Sequence, residues 1–309
     1  MTTELGQRRI PFSFDETTPF LWNEHNPEFA HLANLFSVLA VGLERYIVAV
    51  MRDAMPLIES PDARAEAEGF LKQEARHAAA HVLHLRALMQ THPGIQEVLD
   101  RSNELFEEMQ ATEPLEYRLG FIASLEATFT PFFKLFLDHP EEFFEPGDDR
   151  VASLFLWHFI EEVEHRSSAL IVFDAVVGDR GYLFRTFPKA LHRSGRIVFE
   201  LGEGLDRVVP IEDRRVSVVT SLRNTGGFLE LARRSVGGRY RKRHMLTEIG
   251  SGELVSMIFR IVRSQTRRHD PEHQPLPAFA DVWLAAYERG VDVTRWYGSV
   301  LEDRAVEAR

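Results

Sequence analysis

The chain has 309 residues, 44% of them hydrophobic and 11% aromatic, enough for one large core or a domain with an extension. It has no cysteine, so disulfides, thiolate ligands and thiol nucleophiles are excluded, and any metal must be held by carboxylates and imidazoles. A net charge of −11 argues against nucleic acid as a partner of the whole chain.

The first residues lack the basic, apolar and small-residue pattern of a signal peptide. The longest apolar run, Leu32 to Leu43, is too short to span a bilayer. These readings predict a soluble cytoplasmic protein without a transmembrane segment. The charge is uneven: Arg180 to Arg243 holds 15 Lys and Arg against 6 Asp and Glu, a local +9 that leaves −20 for the remainder. Such a stretch reads as a solvated basic face or as a docking surface for an acidic partner or subunit.

Residues 1–27 carry Phe12, Phe14, Phe20 and Trp22 among prolines, with no helical period, and read as an arm whose aromatics pack on the body. Asn26-Pro27 opens a first helix over Glu28 to Ala54, apolar on most sides, with Glu44 alone among the apolar positions. Ser60 and Pro61 supply the N-cap and first turn of a second helix that stops near His92-Pro93-Gly94. Its inward face carries Phe70, Glu74, His77, His81, Leu85 and Leu88. His84 and His92 read as ordinary polar positions on it. An amphipathic connection over Ile95 to Met109 leads to a third helix, from Glu113-Pro114 to Leu137, with Glu126 again a lone carboxylate beside Leu119, Ile122, Thr130 and Phe133.

The fourth helix is predicted from Asp149 to Val177 and carries Trp157 to Arg166, W-H-F-I-E-E-V-E-H-R. At 3.6 residues per turn His158, Glu162 and His165 share one face, and Val151, Leu154, Phe155, Ala169, Val172 and Val176 extend it. An apolar face should not carry a carboxylate and two imidazoles unless something compensates their burial. Beyond Gly178 the pattern stays helical. One helix opens at Thr186 and Pro188; others are expected over Ile211–Ser235 (interrupted at Gly226-Gly227), His244–Arg267 and Pro277–Leu301, with Gly237-Gly238 and His269–Pro277 as linkers. No stretch alternates with period two, so the class is all-α.

Two segments repeat one arrangement. Glu44 precedes Glu74-x-x-His77, and Glu126 precedes Glu162-x-x-His165. One Glu on each of two helices and Glu-x-x-His on each of two others is the ligand set of dinuclear carboxylate bundles. Glu-x-x-His alone is weak in a chain with 13 His, and Glu28-x-x-His31 supplies a third instance. His31 lies 13 residues before Glu44, about 20 Å along a helix, too far to join one site; it reads as a surface or interface histidine. The alternative for the rest, acids and histidines satisfying one another in the core, would require most of the carboxylates to be protonated.

The metal candidates are therefore Glu44, Glu74, His77, Glu126, Glu162 and His165. Symmetry assigns Glu44, Glu74 and His77 to one ion and Glu126, Glu162 and His165 to the other, with Glu74 and Glu162 as bridges. His158 and His81 share these faces and stand as extra ligands or as hydrogen-bonding groups behind them. Glu161 and Glu164 are candidates for proton transfer or for supporting the ligands. Phe129, Phe132, Phe133 and Phe136 read as core, with some available to an apolar substrate pocket. Tyr46 reads as a core or interface tyrosine. Two iron ions are expected, with manganese or a mixed pair as alternatives.

At Gln73–His81 (Q-E-A-R-H-A-A-A-H) and Trp157–Arg166 the chain resembles a ferritin-like group described as predicted metal-dependent hydrolases. The family's patterns fall on Glu74, His77 and His81, and on Trp157, His158, Glu161, Glu162, Glu164 and His165. The resemblance spans roughly residues 10–280; near its end Arg268 stands where the family tends to have Phe, and Asp270 intervenes before Pro271, so His269 takes no role. His158-x-x-x-Glu162-x-x-His165 is also similar to the motif of di-iron arylamine N-oxygenases, which carry an additional histidine ligand.

Together these readings predict an arm over 1–27, a ferritin-like four-helix bundle with a dinuclear metal site over 28–178, and a helical extension over 179–309. The expected function is a di-iron oxygenase or oxidase, taking O2, an electron donor and a small apolar substrate. A two-metal hydrolase of esters or phosphoesters is the alternative, and a non-catalytic metal-binding or interaction protein the third. A homodimer is compatible with each.

Overall fold

The computed structural model describes residues 5–224, 245, 246 and 248–299. Among them every regular element is helical. The first two long helices start where their sequences dictate. Asn26 accepts from Phe29 N with Pro27 in the first turn of α1 (Pro27–Ala54), and Ser60 accepts from Ala63 N with Pro61 in the first turn of α2 (Pro61–Thr91). The connection after α2 is a full helix, α3 (Ile95–Thr112). Gly42 lets α3 close on α1, since a Cβ there would run into Ser102 and Phe106.

α4 (Leu115–Leu137) and the one-turn α5 (Pro140–Phe143) lead to α6 (Asp149–Glu164), capped by the Asp148 carboxylate. α1 packs on α2, α3 and α4; α6 packs on α4 and α2. Glu44, Glu74, Glu126 and Glu162 are thereby carried by α1, α2, α4 and α6 and are all buried. Two apolar clusters fill the interior, one around α1, α2, α3 and α4, the other rich in phenylalanine around α6.

The predicted fourth helix is two. α6 ends at Glu164, and α7 (Ser168–Val176) begins after a turn at His165, whose backbone leaves the helical region. Arg166 satisfies the carbonyl of Val163 and reaches Pro271 O, while Ser168 Oγ donates to Glu66. Periodicity could not show the break, because both sides of it are buried.

α8 (Arg180–Val208) starts earlier than Thr186: Gly178 ends α7 with φ +68°, and Asp179 caps the next helix, leaving Pro188 inside it. The helix expected from Ile211 is broken by Arg215 at φ 59° into α9 (Ile211–Arg214) and α10 (Val218–Asn224). α11 (Ser251–Ser264) packs on α4. α12 (Ala278–Glu288) ends at Gly290, φ +83°, and a 3-10 turn over Val293–Arg295 follows against α6, so the single helix predicted to Leu301 is interrupted. The Gly226-Gly227 and Gly237-Gly238 breaks lie outside the described residues.

Two helices, Pro27–Leu57 and Leu115–Leu137, are long and apolar enough to cross a membrane by length and composition, contrary to the expectation from Leu32 to Leu43. In each, 72% of the apolar window is buried inside the fold, and each carries one of the buried glutamates. Several described cations of the basic stretch pair within the chain: Arg180 with Asp174, Arg185 with Asp179, Lys189 and Arg193 with Glu113, Arg214 with Asp206. The arm lies along the helices, with Phe12 against Trp157 and Trp22 stacked on Phe155.

Candidate metal centre

Because α1, α2, α4 and α6 bring their acids inward at one level, the predicted residues converge on Glu162. Its Oε1 lies 2.9 Å from His158 Nε2, 3.3 Å from His165 Nε2 and 3.5 Å from His77 Nδ1. Glu44 Oε1 is 3.3 Å from His158 Nε2, and Glu74 Oε1 is 3.2 Å from His165 Nε2. Two groups of donor atoms lie within 4.8 Å of one another: Glu44, His77, His158 and Glu162, and Glu74, His77, Glu162 and His165. All are buried.

This grouping differs from the symmetric one expected of the sequence. Glu74 goes with His165 of the opposite helix pair, and Glu44 goes with Glu162 and His158. Glu162 and His77 are shared. Glu126 is in neither group; its Oε2 stands 3.5 Å from His165 Nδ1. His81 is one step out, its Nε2 2.6 Å from His158 Nδ1. The turn at His165 carries that ring to the end of α6, between Glu74 and Glu126.

Burial, reinforced by neighbouring carboxylates, pushes the acids of Glu44, Glu74 and Glu126 well above the usual range. For Glu162 burial acts the same way, but the attraction of His165, the hydrogen bond with His158 and the close approach of the His165 and His77 rings outweigh it and hold the carboxylate ionised. The set fits cations on geometric grounds as well. Glu44 Oε2, both Glu74 oxygens, Glu126 Oε2, His77 Nδ1 and both His165 nitrogens are buried without a hydrogen-bond partner. Carboxylate oxygens and imidazole nitrogens, with no thiolate, suit divalent first-row metals.

Around the donors lies a wider shell. Glu161, fully buried, accepts from His77 Nε2 at 3.0 Å through Oε2, and its Oε1 is 3.2 Å from Arg8. Glu164 takes the same guanidinium in a two-pronged contact at 2.5 and 3.0 Å. Ser37 Oγ joins His81 Nδ1 at 2.9 Å and His84 Nδ1 at 3.0 Å. Phe36, Trp157 and Phe70 close on His158, His77 and His165.

Sequence reasoning missed Arg8, Ser37 and His84. For two of these a signal existed: Ser37 precedes Glu44 by two turns, and His84 follows His77 by two turns. His84 is fully buried, not an ordinary polar position, because Ser37 of α1, Phe14 of the arm and Phe155 of α6 close on it; burial drives its ring down to about 3. Tyr46 packs on Phe106 and Phe121, and its hydroxyl is buried without a hydrogen-bond partner. His31 is buried as well, its Nδ1 3.3 Å from Val216 O, because the turn after α9 folds over it.

An all-helical protein with buried histidine and glutamate groups able to hold metal is the class these observations define. The family described as predicted metal-dependent hydrolase matches residues 6–202, and the chain belongs to it. No curated protein and no solved structure matches the chain.

Proposed function

We propose that this protein is a hydrolase using two divalent ions to cleave an ester or phosphoester. The observation that carries the reading is Glu162 Oε1, placed among three imidazoles and shared by two overlapping donor groups. The family's description as metal-dependent hydrolases supports the reaction class. Glu44 and His158 would hold one ion and Glu74 and His165 the other, with Glu162 and His77 belonging to both groups and Glu126 beside His165 Nδ1, outside them. Bound ions supply Lewis-acid charge stabilisation and a more acidic water at neutral pH.

The chain's own groups do the remainder. Glu161 keeps a proton on His77 Nε2, leaving Nδ1 as the donor atom. His81 orients His158 through Nδ1. Phe36 and Phe155, packed on the His81 and His158 side, keep bulk water from the acids. In this reading α1, α2, α4 and α6 form a ferritin-like four-helix bundle over 28–178, with the arm before it and the helical extension from 179 after it.

A second reading follows from the donor set. Four carboxylates, four imidazoles and phenylalanine walls also suit a di-iron or iron–manganese oxygenase oxidising a small apolar substrate with O2 and an electron donor. Metal exchange separates the two. Zinc- or magnesium-loaded protein is expected to hydrolyse chromogenic ester or phosphodiester probes. Loss of all turnover with redox-inert ions, together with O2 uptake by the reduced iron form, would replace the hydrolase reading with the oxygenase one.

A further inference from the structure

We propose that Arg8, from the segment preceding α1, is a positioning residue of the metal centre: it fixes Glu161, and through Glu161 the face that His77 turns to the ions. The inference rests on the metal-centre reading above and adds to it a part that comes from outside the helices.

The geometry is a three-link chain. Arg8 Nη1 is 3.2 Å from Glu161 Oε1; the other oxygen of that carboxylate, Oε2, accepts from His77 Nε2 at 3.0 Å. With Nε2 committed as donor, a neutral His77 carries its lone pair on Nδ1, which faces Glu162 at 3.5 Å and Glu74 at 3.8 Å and has no hydrogen-bond partner. Arg8 is itself pinned by Glu164, and its guanidinium stands 6.0 Å from the ring centre of Tyr287. A planar fork with five donors can serve two carboxylates in this way, whereas an ammonium presents a single point charge.

Glu161 has no exposure and Arg8 little. Without the guanidinium, Glu161 would be a buried acid held only by His77 and free to turn away from the ring. The segment carrying Arg8 is fastened separately. Gln73 Nε2 donates to Gly6 O at 2.8 Å, Gln7 Nε2 to Gly69 O at 3.2 Å, and Arg76 to Gln7 Oε1 at 2.6 Å. These contacts hold the strand of chain on α2 without touching Glu161, so the role of Arg8 is separable from that of its segment.

Cobalt(II) binding to the metal-free protein tests this by two readouts, the visible absorption band and competition with a chelator. Arg8→Ala is expected to weaken cobalt binding about tenfold to a hundredfold and to alter the band, as loss of a group supporting a ligand does. Arg8→Lys should restore part of the affinity. Gln7→Ala, which loosens the segment elsewhere, should bind cobalt as the unaltered protein does. The proposal is overturned if Arg8→Ala leaves affinity and band unchanged, or if Gln7→Ala weakens binding equally. If the unaltered protein takes up no cobalt, zinc or iron, the metal-centre reading falls and this inference with it.

Discussion

Two of the places where the described residues bury histidine beside acid contain Glu-x-x-His. At the start of α1, Glu28 accepts from Met245 N at 2.7 Å, and His31 sits against Val216 O with Asp206 3.8 Å away. Asp206 is matched by Arg214 at 3.1 Å and takes the Ser217 hydroxyl. At the centre of the helices, Glu44, Glu74, Glu126 and Glu162 pair with no arginine or lysine among the described residues, and Arg8 pairs instead with Glu161 and Glu164. Arg214 balances the charge of the first cluster, where His31 Nε2 and Asp206 Oδ1 lack hydrogen-bond partners; the second leaves such atoms on Glu44, Glu74, Glu126, His77 and His165 with no arginine or lysine paired to them among the described residues. A shared sequence motif therefore says little about metal. What distinguishes the two is whether the fold supplies the opposite charge.

The largest expected effect breaks the central cluster at its hub. Glu162→Ala removes the oxygen that three imidazoles face, and metal analysis should fall from two ions per chain towards none. On the proposed hydrolase reading, probe turnover should fall about a thousandfold or more, as expected where ions would supply several kcal/mol of transition-state stabilisation. Retention of both ions would refute the shared-ligand geometry.

A smaller effect separates the balanced cluster. Burial drives His31 down from 6.5 to about 4, against the pull of Asp206. The unfolded chain binds a proton between those values and the native ring does not, so unfolding binds protons and stability rises with pH there. His31's contribution is complete above about pH 6.5 and is lost as the pH falls through that range to 4, by up to about 3 kcal/mol. His31→Asn should flatten this part of the urea-midpoint profile against pH while leaving metal content unchanged. A change in bound metal would join two sites that the structure keeps apart.

The smallest effect marks the far end of the comparison. Arg185 and Asp179 form an ion pair 60% and 55% exposed. Arg185→Ala should leave the urea midpoint and the metal content within error, because such pairs are screened by solvent.

Glu44, Glu74, Glu126 and Glu162 were legible because a lone carboxylate on an apolar helix face is a local anomaly, visible within two turns. Their partition was not. Which acid meets which imidazole depends on how α1, α2, α4 and α6 cross, and spacing along one helix carries no information about crossing. Arg8 was beyond reach for a related reason: its partner Glu161 lies 153 residues away, and the arm has no periodicity to project it inward. The corner at His165 was hidden because α6 and α7 are both mostly buried, so the apolar pattern runs through the turn unchanged.

By itself the sequence determined an all-helical chain, the starts of α1 and α2, and the presence of acids and imidazoles where only apolar groups belong. Those follow from capping chemistry, periodicity and the cost of burying charge, all of which act over a few residues. Tertiary structure alone decided that His77 rather than Glu74 would be shared along with Glu162, that His31 would be sealed by a distant turn and that Arg8 would stand behind His77. These are matters of charge meeting charge across space, fixed only when separate helices and the segment before them close on one another.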